Sequence, residues 1–163
     1  MGAIGTCLLL STGYVLTAIG YYLNHRFIFH GRLPKWAPKK VKKIHRWYAG
    51  FHMRHHLHAE QDDELVKDYL KIPVVGKIVM LIALAAIGML SKPVAAGCFI
   101  FFVTYGIRHG AIHGAGIGGR KLDKDSYHYR HHMLHHQKGN WGHVNFSGVH
   151  PWIDKVFKTY RKS

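Results

Sequence analysis

Histidine is the residue type of this sequence with the greatest capacity for chemistry, and it is frequent, with 16 histidines among 163 residues. Neutral imidazole is the commonest nitrogen ligand for transition metals in proteins. Most of the histidines stand in four short clusters. These are His25 with His30, His52 with His55 and His56, His109 with His113, and a final run of His128, His131, His132, His135 and His136. The clustering predicts metal binding.

The spacing inside the clusters is that of one helix face. Side chains three and four residues apart on a helix lie about 5–6 Å from each other, so the second cluster is predicted to converge on one point, and so is the third. The first pair is five residues apart and diverges by about 140° on an ideal helix, which requires a helix end or a local distortion. The final run allows two triplets, His128 with His131 and His132, or His132 with His135 and His136.

The number of clustered histidines predicts two metal ions. Two, three, two and three ligands make ten, which divide as five imidazoles for each metal and leave a sixth position for water, dioxygen or a bridging oxygen. Ten charged imidazoles in one place would repel one another, and a metal pair keeps them neutral. We expect the other histidines to be solvated or hydrogen-bonded side chains, namely His45, His58, His143 and His150.

Three apolar runs are predicted to position these clusters. Residues 3–23 carry no charge and form a 21-residue run, long enough to cross a bilayer. Residues 72–90 and 93–107 read as a helical hairpin whose second limb is short for a crossing, at 15 residues. We therefore expect one domain, residues 1–163, that is an all-α integral membrane protein. It would have about three to four transmembrane helices and a cytoplasmic helical cap carrying a histidine-ligated di-metal site. The alternative is a buried hairpin in a soluble helical core.

The charge distribution predicts the orientation. The chain has 23 Lys and Arg against 8 Asp and Glu. Of the basic residues, 21 fall in residues 24–71 and 108–163, which three spans would place on one face. By the positive-inside rule that face is cytoplasmic, in a bacterial inner membrane or the endoplasmic reticulum. The basic residues lie beside the spans rather than on a recognised nucleic-acid module, so no nucleic-acid partner is expected.

Other catalytic patterns are absent from the sequence. It has no G-x-S-x-G elbow, no Walker A loop, no His-Glu-x-x-His and no paired Glu-x-x-His motifs, which disfavours serine hydrolases, P-loop enzymes, zincin proteases and carboxylate di-iron bundles. An acidic run could orient histidine rings from behind, and it consists of Asp62, Asp63, Glu64 and Asp68.

The order HX4H, HXXHH, HX3H, HXXHH between membrane helices in a short chain resembles the fatty acid hydroxylase / sterol desaturase superfamily of integral-membrane di-metal oxygenases. The resemblance covers roughly residues 15–160. Asn145-Phe146-Ser147-Gly148 and the segment from Trp152 to Tyr160 are similar to the closing segment of that family. Two departures stand out: Lys158 occupies the place of a glycine, and Ile153 separates Trp152 from Asp154.

The resemblance implies ten metal ligands and no further catalytic residue. They are His25, His30, His52, His55, His56, His109, His113, His132, His135 and His136. It also implies two iron ions, with zinc able to occupy the sites on purification, and dioxygen activation with electrons from a separate carrier such as cytochrome b5 or ferredoxin.

The implied substrate is a lipid taken from the bilayer. The closing segment is most similar to that of fatty acid and sphingolipid hydroxylases, which insert oxygen into a C–H bond of an acyl chain. A carotenoid β-ring hydroxylase and a sterol-modifying oxidase of the same superfamily are alternatives. A non-enzymatic membrane metal-binding protein is the alternative of another class.

Overall fold

The structure is a computed structural model that describes residues 2–60 and 74–162. Every regular element in these residues is helical, as the sequence predicts. The elements in chain order are α1 (Ala3–Leu23), a π-helical segment (Asn24–Phe29), α2 (Lys39–Glu60), α3 (Val74–Leu90), α4 (Lys92–Ile112), a 3-10 turn (Ile117–Gly119), α5 (Tyr127–His136) and α6 (Pro151–Val156).

Two of the described helices are long and apolar enough to cross a membrane. They are Ala3–Phe29, which is α1 with its π-helical extension, and α4. The 15-residue limb expected at 93–107 is wrong, because the helix continues past the end of the apolar run and reaches 21 residues. α3 is apolar but has 17 residues, and the first two residues of the predicted span 72–90 lie outside the described residues. These helices indicate association with a membrane.

α1 and α4 pack against each other so closely that their backbones touch at two glycines. A Cβ atom added to Gly13 would lie 2.1 Å from the Val94 carbonyl oxygen, and one added to Gly97 would lie 2.0 Å from the Leu10 carbonyl oxygen. Small residues at such crossings are typical of membrane helices. Lipid is as apolar as the helices, so no hydrophobic force drives them together, and van der Waals contacts from close packing stabilise their association instead.

Adding one methyl group at this crossing should separate the two helices. We expect Gly13→Ala to destabilise the protein by about 1–3 kcal/mol, the usual cost of overpacking. The measurement is thermal unfolding in detergent, followed by circular dichroism. Gly20→Ala is the matched control on the same helix, because nothing lies within 4 Å of its added Cβ and alanine favours the helix. Equal melting temperatures for the two variants would contradict the close crossing.

The C-terminal segment folds back onto the C-terminal end of α1. Tyr22 stacks on Phe157 with ring centroids 4.6 Å apart, and its hydroxyl lies 3.0 Å from Thr159 Oγ1. Between them, Lys158 has a φ of 55°, a left-handed conformation that costs a side-chain-bearing residue energy and that glycine adopts freely. The buried core consists of Ala18, Tyr22, Phe101, Phe146 and Ile153. It sits directly beside the histidine clusters.

Candidate metal centre

The π-helical segment resolves the five-residue spacing of the first histidine pair. The His30 amide donates to the His25 carbonyl at 3.2 Å, which is the i→i+5 bond of a π-helix. This wider turn brings residue 30 over residue 25. The two Nε2 atoms lie 3.3 Å apart. The local distortion that the spacing required is therefore present.

The structure gathers the ten predicted histidines into two buried groups of five. Within each group the candidate ligand atoms all lie within 4.8 Å of one another, an arrangement consistent with a di-metal site. The first group is His25, His30, His52, His56 and His135. The second group is His55, His109, His113, His132 and His136.

One expectation about convergence is wrong. The three histidines of α2 do not meet at one point: His52 and His56 belong to the first group and His55 to the second. The reason is that residues 100° apart on a helix can face two different neighbours. α5 divides its histidines in the same way, so both helices join the two groups. The rings of His56 and His136, one from each group, are 4.2 Å apart.

The first group has the shape of a square pyramid. Its ring centroids form a closed square in the order His25, His52, His56, His135, with sides of 4.6, 4.6, 4.7 and 4.7 Å. The diagonal from His25 to His56 is 6.5 Å, as a square of that side requires. His30 is the apex, 4.8–5.0 Å from every corner. Among the described residues no sixth candidate ligand belongs to this group.

The second group repeats this shape. The corners run His55, His109, His132, His136, with sides of 5.2, 4.7, 4.5 and 4.8 Å. His113, the first residue after α4, is the apex at 4.5–5.1 Å from the corners. Each group therefore offers five imidazoles as candidate ligands.

The hydrogen bonds of the first group fit a cation at its centre. His25 Nδ1 donates to the Phe146 carbonyl, and His135 Nδ1 donates to the Val144 carbonyl at 2.7 Å. A neutral imidazole has only one N–H, so the Nε2 atoms of both rings carry bare lone pairs. These two Nε2 atoms face each other at 3.2 Å. Two lone pairs at that distance repel unless a cation lies between them.

The distances also suit metal coordination. Ligands at right angles on bonds of about 2.1 Å lie about 3 Å from each other. The Nε2 atoms of His52 and His56 are 2.9 Å apart, as are those of His132 and His136. Neither ring nitrogen of buried His55 has a hydrogen-bond partner among the described residues. The residues present therefore fit two metal ions.

Comparison with known proteins agrees with this geometry. The family model described as "Fatty acid hydroxylase" matches residues 10–159, which is most of the chain. The chain belongs to the fatty acid hydroxylase family. No curated protein and no solved structure matches it. Members of this family are oxidoreductases.

In this member of the fatty acid hydroxylase family, the final histidine run contributes His132, His135 and His136 to the two groups. The other candidate triplet is not assembled. His131 points away and lies 3.2 Å from Asp154 Oδ2 through its Nε2 atom, and His128 stands outside both groups.

Asp154 is a buried residue whose role the sequence did not reveal. It is fully enclosed and accepts hydrogen bonds from His131, from the Ser147 amide at 3.2 Å, from the Ser147 hydroxyl, and from Thr159 Oγ1 at 2.8 Å. The closing segment of the family contains this aspartate, but its sequence position gives no sign of these partners. The acidic run at residues 62–68, the expected source of ring-orienting carboxylates, lies outside the described residues.

The Asp154 network fixes the backbone that holds the histidine rings. Ser147 follows Phe146, whose carbonyl accepts the His25 N–H. Groups that accept the second N–H of a ligating histidine set its tautomer and its ring orientation. Asp154 therefore acts on the histidine rings indirectly, by holding the backbone of the loop before α6.

Two histidines outside the groups have hydrogen-bonding partners. His45 Nε2 donates to the Ile28 carbonyl at 2.8 Å, and His150 Nε2 lies 3.3 Å from the Tyr14 hydroxyl. His143 is exposed. His150 is buried, and its contact with the Tyr14 hydroxyl agrees with the expected hydrogen-bonded side chain.

Burial keeps the grouped imidazoles neutral in the absence of metal. Among histidines outside the two apolar helices, loss of solvation lowers the pKa of His30 to about 3 and that of His135 to about 4. The pKa values of His52, His55 and His56 fall well below their usual range for the same reason, with repulsion from neighbouring histidines adding to it. Neutral imidazole is the form that binds metal.

These lowered pKa values predict acid sensitivity of the metal-free protein. In the unfolded chain a histidine titrates near pH 6.5, while in the folded chain its pKa lies lower. Below about pH 6.5 the unfolded state therefore binds more protons, and stability falls as pH falls. We expect the melting temperature of metal-free protein to drop between about pH 7.5 and about pH 5.

Two comparisons make this acid prediction specific. Saturating zinc should move the drop to lower pH, because metal holds the imidazoles neutral. A variant at an exposed histidine, His143→Ala, should keep the full drop. A metal-free protein that is as stable at about pH 5 as at neutral pH would contradict the assignment of neutral buried rings.

Proposed function

We propose that this chain is a membrane-bound di-iron lipid hydroxylase that inserts one oxygen atom from dioxygen into a C–H bond of a fatty acyl or sphingolipid chain. The observation that carries the proposal is the pair of five-histidine groups at the ends of two apolar helices, in a chain of the fatty acid hydroxylase family. Five imidazoles would leave the sixth position of an octahedral metal ion to an oxygen ligand.

Imidazole suits iron as well as zinc and copper, and of these iron is the redox-active metal that we propose for the oxygen chemistry, since zinc has no redox chemistry. Two iron ions, when bound, would supply the activation of dioxygen. The ten histidines would hold them, and the carbonyls of Val144 and Phe146 would fix the rings of His135 and His25. The protein's part is to position the centre and to exclude water.

A pair of tyrosines connects the two apolar helices to the centre. Tyr21 of α1 and Tyr105 of α4 contact each other through their hydroxyls, and their rings are 4.4 Å apart. Tyr21 lies 5.5 Å from the His25 ring, and Tyr105 stacks on His109 at 5.1 Å. An aromatic side chain of α1 thus contacts the first group, and one of α4 contacts the second. A hydrocarbon chain lying against this tyrosine pair would be one aromatic ring away from the centre.

The orientation belongs to the same proposal. With α1, α3 and α4 crossing the membrane, the histidine groups would lie on the face that holds 20 of the 23 basic residues. That face would be cytoplasmic. A basic surface attracts an acidic protein, which suits a separate electron carrier of the cytochrome b5 or ferredoxin type.

The test is a lipid comparison. The chain is expressed in a lipid-producing host, and extracted lipids are compared by mass spectrometry with those from a His55→Ala/His56→Ala variant, which loses one candidate ligand from each group. We expect a lipid heavier by one oxygen atom with the natural sequence alone, and that oxygen should come from isotopically labelled dioxygen.

The matched control is His143→Ala, which changes an exposed histidine outside both groups and should keep the product. Metal bound at both groups without any oxidised lipid would instead support a non-enzymatic metal-binding protein. An oxidised carotenoid or sterol with unchanged acyl chains would replace the proposed substrate with another of the superfamily.

A further inference from the structure

The N-terminal half of α2 carries large apolar side chains on its outer surface. Ile44 is 66% exposed and Trp47 56%, and Val41 and Tyr48 are exposed beside them. Their separations of three, six and seven residues along the helix make a continuous stripe. We call these four residues the apolar stripe of α2. Trp36, at 84% exposure, extends it just before the helix.

Basic residues flank this stripe. Lys39, Lys43 and Arg46 follow a helical spacing of four and three residues and therefore share a different face of the helix from the stripe. A helix with an aromatic and aliphatic face beside a lysine-rich face is typical of segments that lie in the plane of a membrane surface. The positive side chains complement anionic lipid head groups.

Contacts fix the stripe at the level where α1 ends. His45 Nε2 donates to the Ile28 carbonyl at 2.8 Å, and Asn24 Nδ2 donates to the Tyr48 hydroxyl at 3.4 Å. The rings of Tyr48 and Phe29 lie 4.8 Å apart. The stripe is therefore held against the last turns of an apolar helix that is long enough to cross a membrane.

We propose that the N-terminal half of α2 lies in the membrane–water interface, with the apolar stripe among the upper acyl chains and its lysines on anionic phospholipid head groups. The same helix carries His52, His55 and His56 in its second half. Lipid contact would therefore anchor the helix that joins the two histidine groups. The inference concerns where α2 lies and holds whichever lipid is oxidised.

The test uses spin labels in vesicles. The chain without its two cysteines, Cys7→Ala/Cys98→Ala, receives a label at Ile44→Cys or, as the matched control, at Lys43→Cys. The protein is placed in phosphatidylcholine vesicles with and without phosphatidylglycerol. Dioxygen concentrates in the membrane and a nickel chelate in water. We expect the ratio of dioxygen to nickel accessibility to be several-fold higher at residue 44 than at residue 43, and highest with phosphatidylglycerol.

Charge removal tests the head-group contact. Lys39→Gln/Lys40→Gln/Lys43→Gln in the residue 44 label background should abolish the increase caused by phosphatidylglycerol. Equal accessibility ratios at residues 43 and 44 would overturn the proposal, because the stripe would then face water. Shielding of residue 44 from both reagents would also overturn it, in favour of a covering protein.

A second measurement uses no label. Lipids with brominated acyl chains should quench the fluorescence of the natural protein more strongly than that of a Trp36→Phe/Trp47→Phe variant, since both tryptophans would lie at the depth of these chains. Equal fractional quenching of the two proteins would count against the interfacial position of the stripe.

Discussion

Replacing His136 with alanine is expected to remove about one metal ion per chain, because this side chain is a corner of the second group. Its Nε2 atom lies 2.9 Å from that of His132, and its ring lies 4.8 Å from that of His55. Loss of a residue that only orients a ligand weakens metal affinity about 10–100-fold, and loss of a ligand should weaken it more. Metal analysis of purified protein gives the result directly.

His128→Ala is the matched control for this loss. His128 lies on the same helix, eight residues earlier, and stands outside both groups. The control should retain the metal content of the natural protein. If His128→Ala loses metal and His136→Ala does not, the arrangement of the final run is the other triplet. Oxidised lipid should disappear with His136→Ala and persist with His128→Ala.

Asp154→Asn is expected to destabilise the protein by about 3 kcal/mol, although the two side chains have the same shape. Oδ2 accepts from His131 and from the amide and hydroxyl of Ser147, while Oδ1 accepts from Thr159. An amide group presents a donor in place of one oxygen, and that donor would meet another donor on either side. Thermal unfolding of the metal-free variant measures this cost.

The same variant should also lose metal affinity in the first group ahead of the second. The loop that Asp154 holds includes the Phe146 carbonyl, which accepts from His25. Asp125→Asn, at an exposed aspartate, is the control and should leave both stability and metal content unchanged. An Asp154→Asn protein with natural stability and full metal content would show that the buried network does not position the centre.

The spacing of the histidines was sufficient to predict a paired metal centre, because helix geometry relates sequence distance to side-chain direction. It was not sufficient to predict which histidines meet. His55 and His56 are neighbours in sequence but face different groups, because the His56 ring contacts His30 beyond the π-helical segment and the His55 ring contacts His109 of α4. Periodicity within one helix carries no information about its neighbours.

The hydrogen-bond acceptors that fix the histidine rings could not be predicted from the sequence, for another reason. His25 and His135 donate to the carbonyls of Phe146 and Val144, and every residue has a carbonyl whatever its side chain. Asp154 was visible as part of a closing segment, but its partners come from three separate parts of the chain. Only the folded arrangement shows that it is enclosed.

The length of α4 shows how a composition boundary differs from a structural one. The apolar run ends at Arg108, yet the helix continues to Ile112 and delivers His109 and His113 to the second group. In this last turn His109 joins the second histidine group, while Ala111 and Ile112 are buried apolar side chains. Hydropathy locates the part of a helix that contacts lipid and misses the part that reaches a site.

The π-helical segment makes part of this centre depend on chain length alone. Phe27 and Ile28 are exposed, so their side chains can vary without touching the histidine rings. The number of residues between His25 and His30 cannot change, because the i→i+5 hydrogen bond that joins them fits only one sequence separation. Deleting one residue from this turn would move His30 away from the first group, although no histidine would be removed from the sequence. The site therefore depends partly on the number of residues in this segment. An insertion or deletion there can destroy the site, whereas substitutions of the exposed side chains do not.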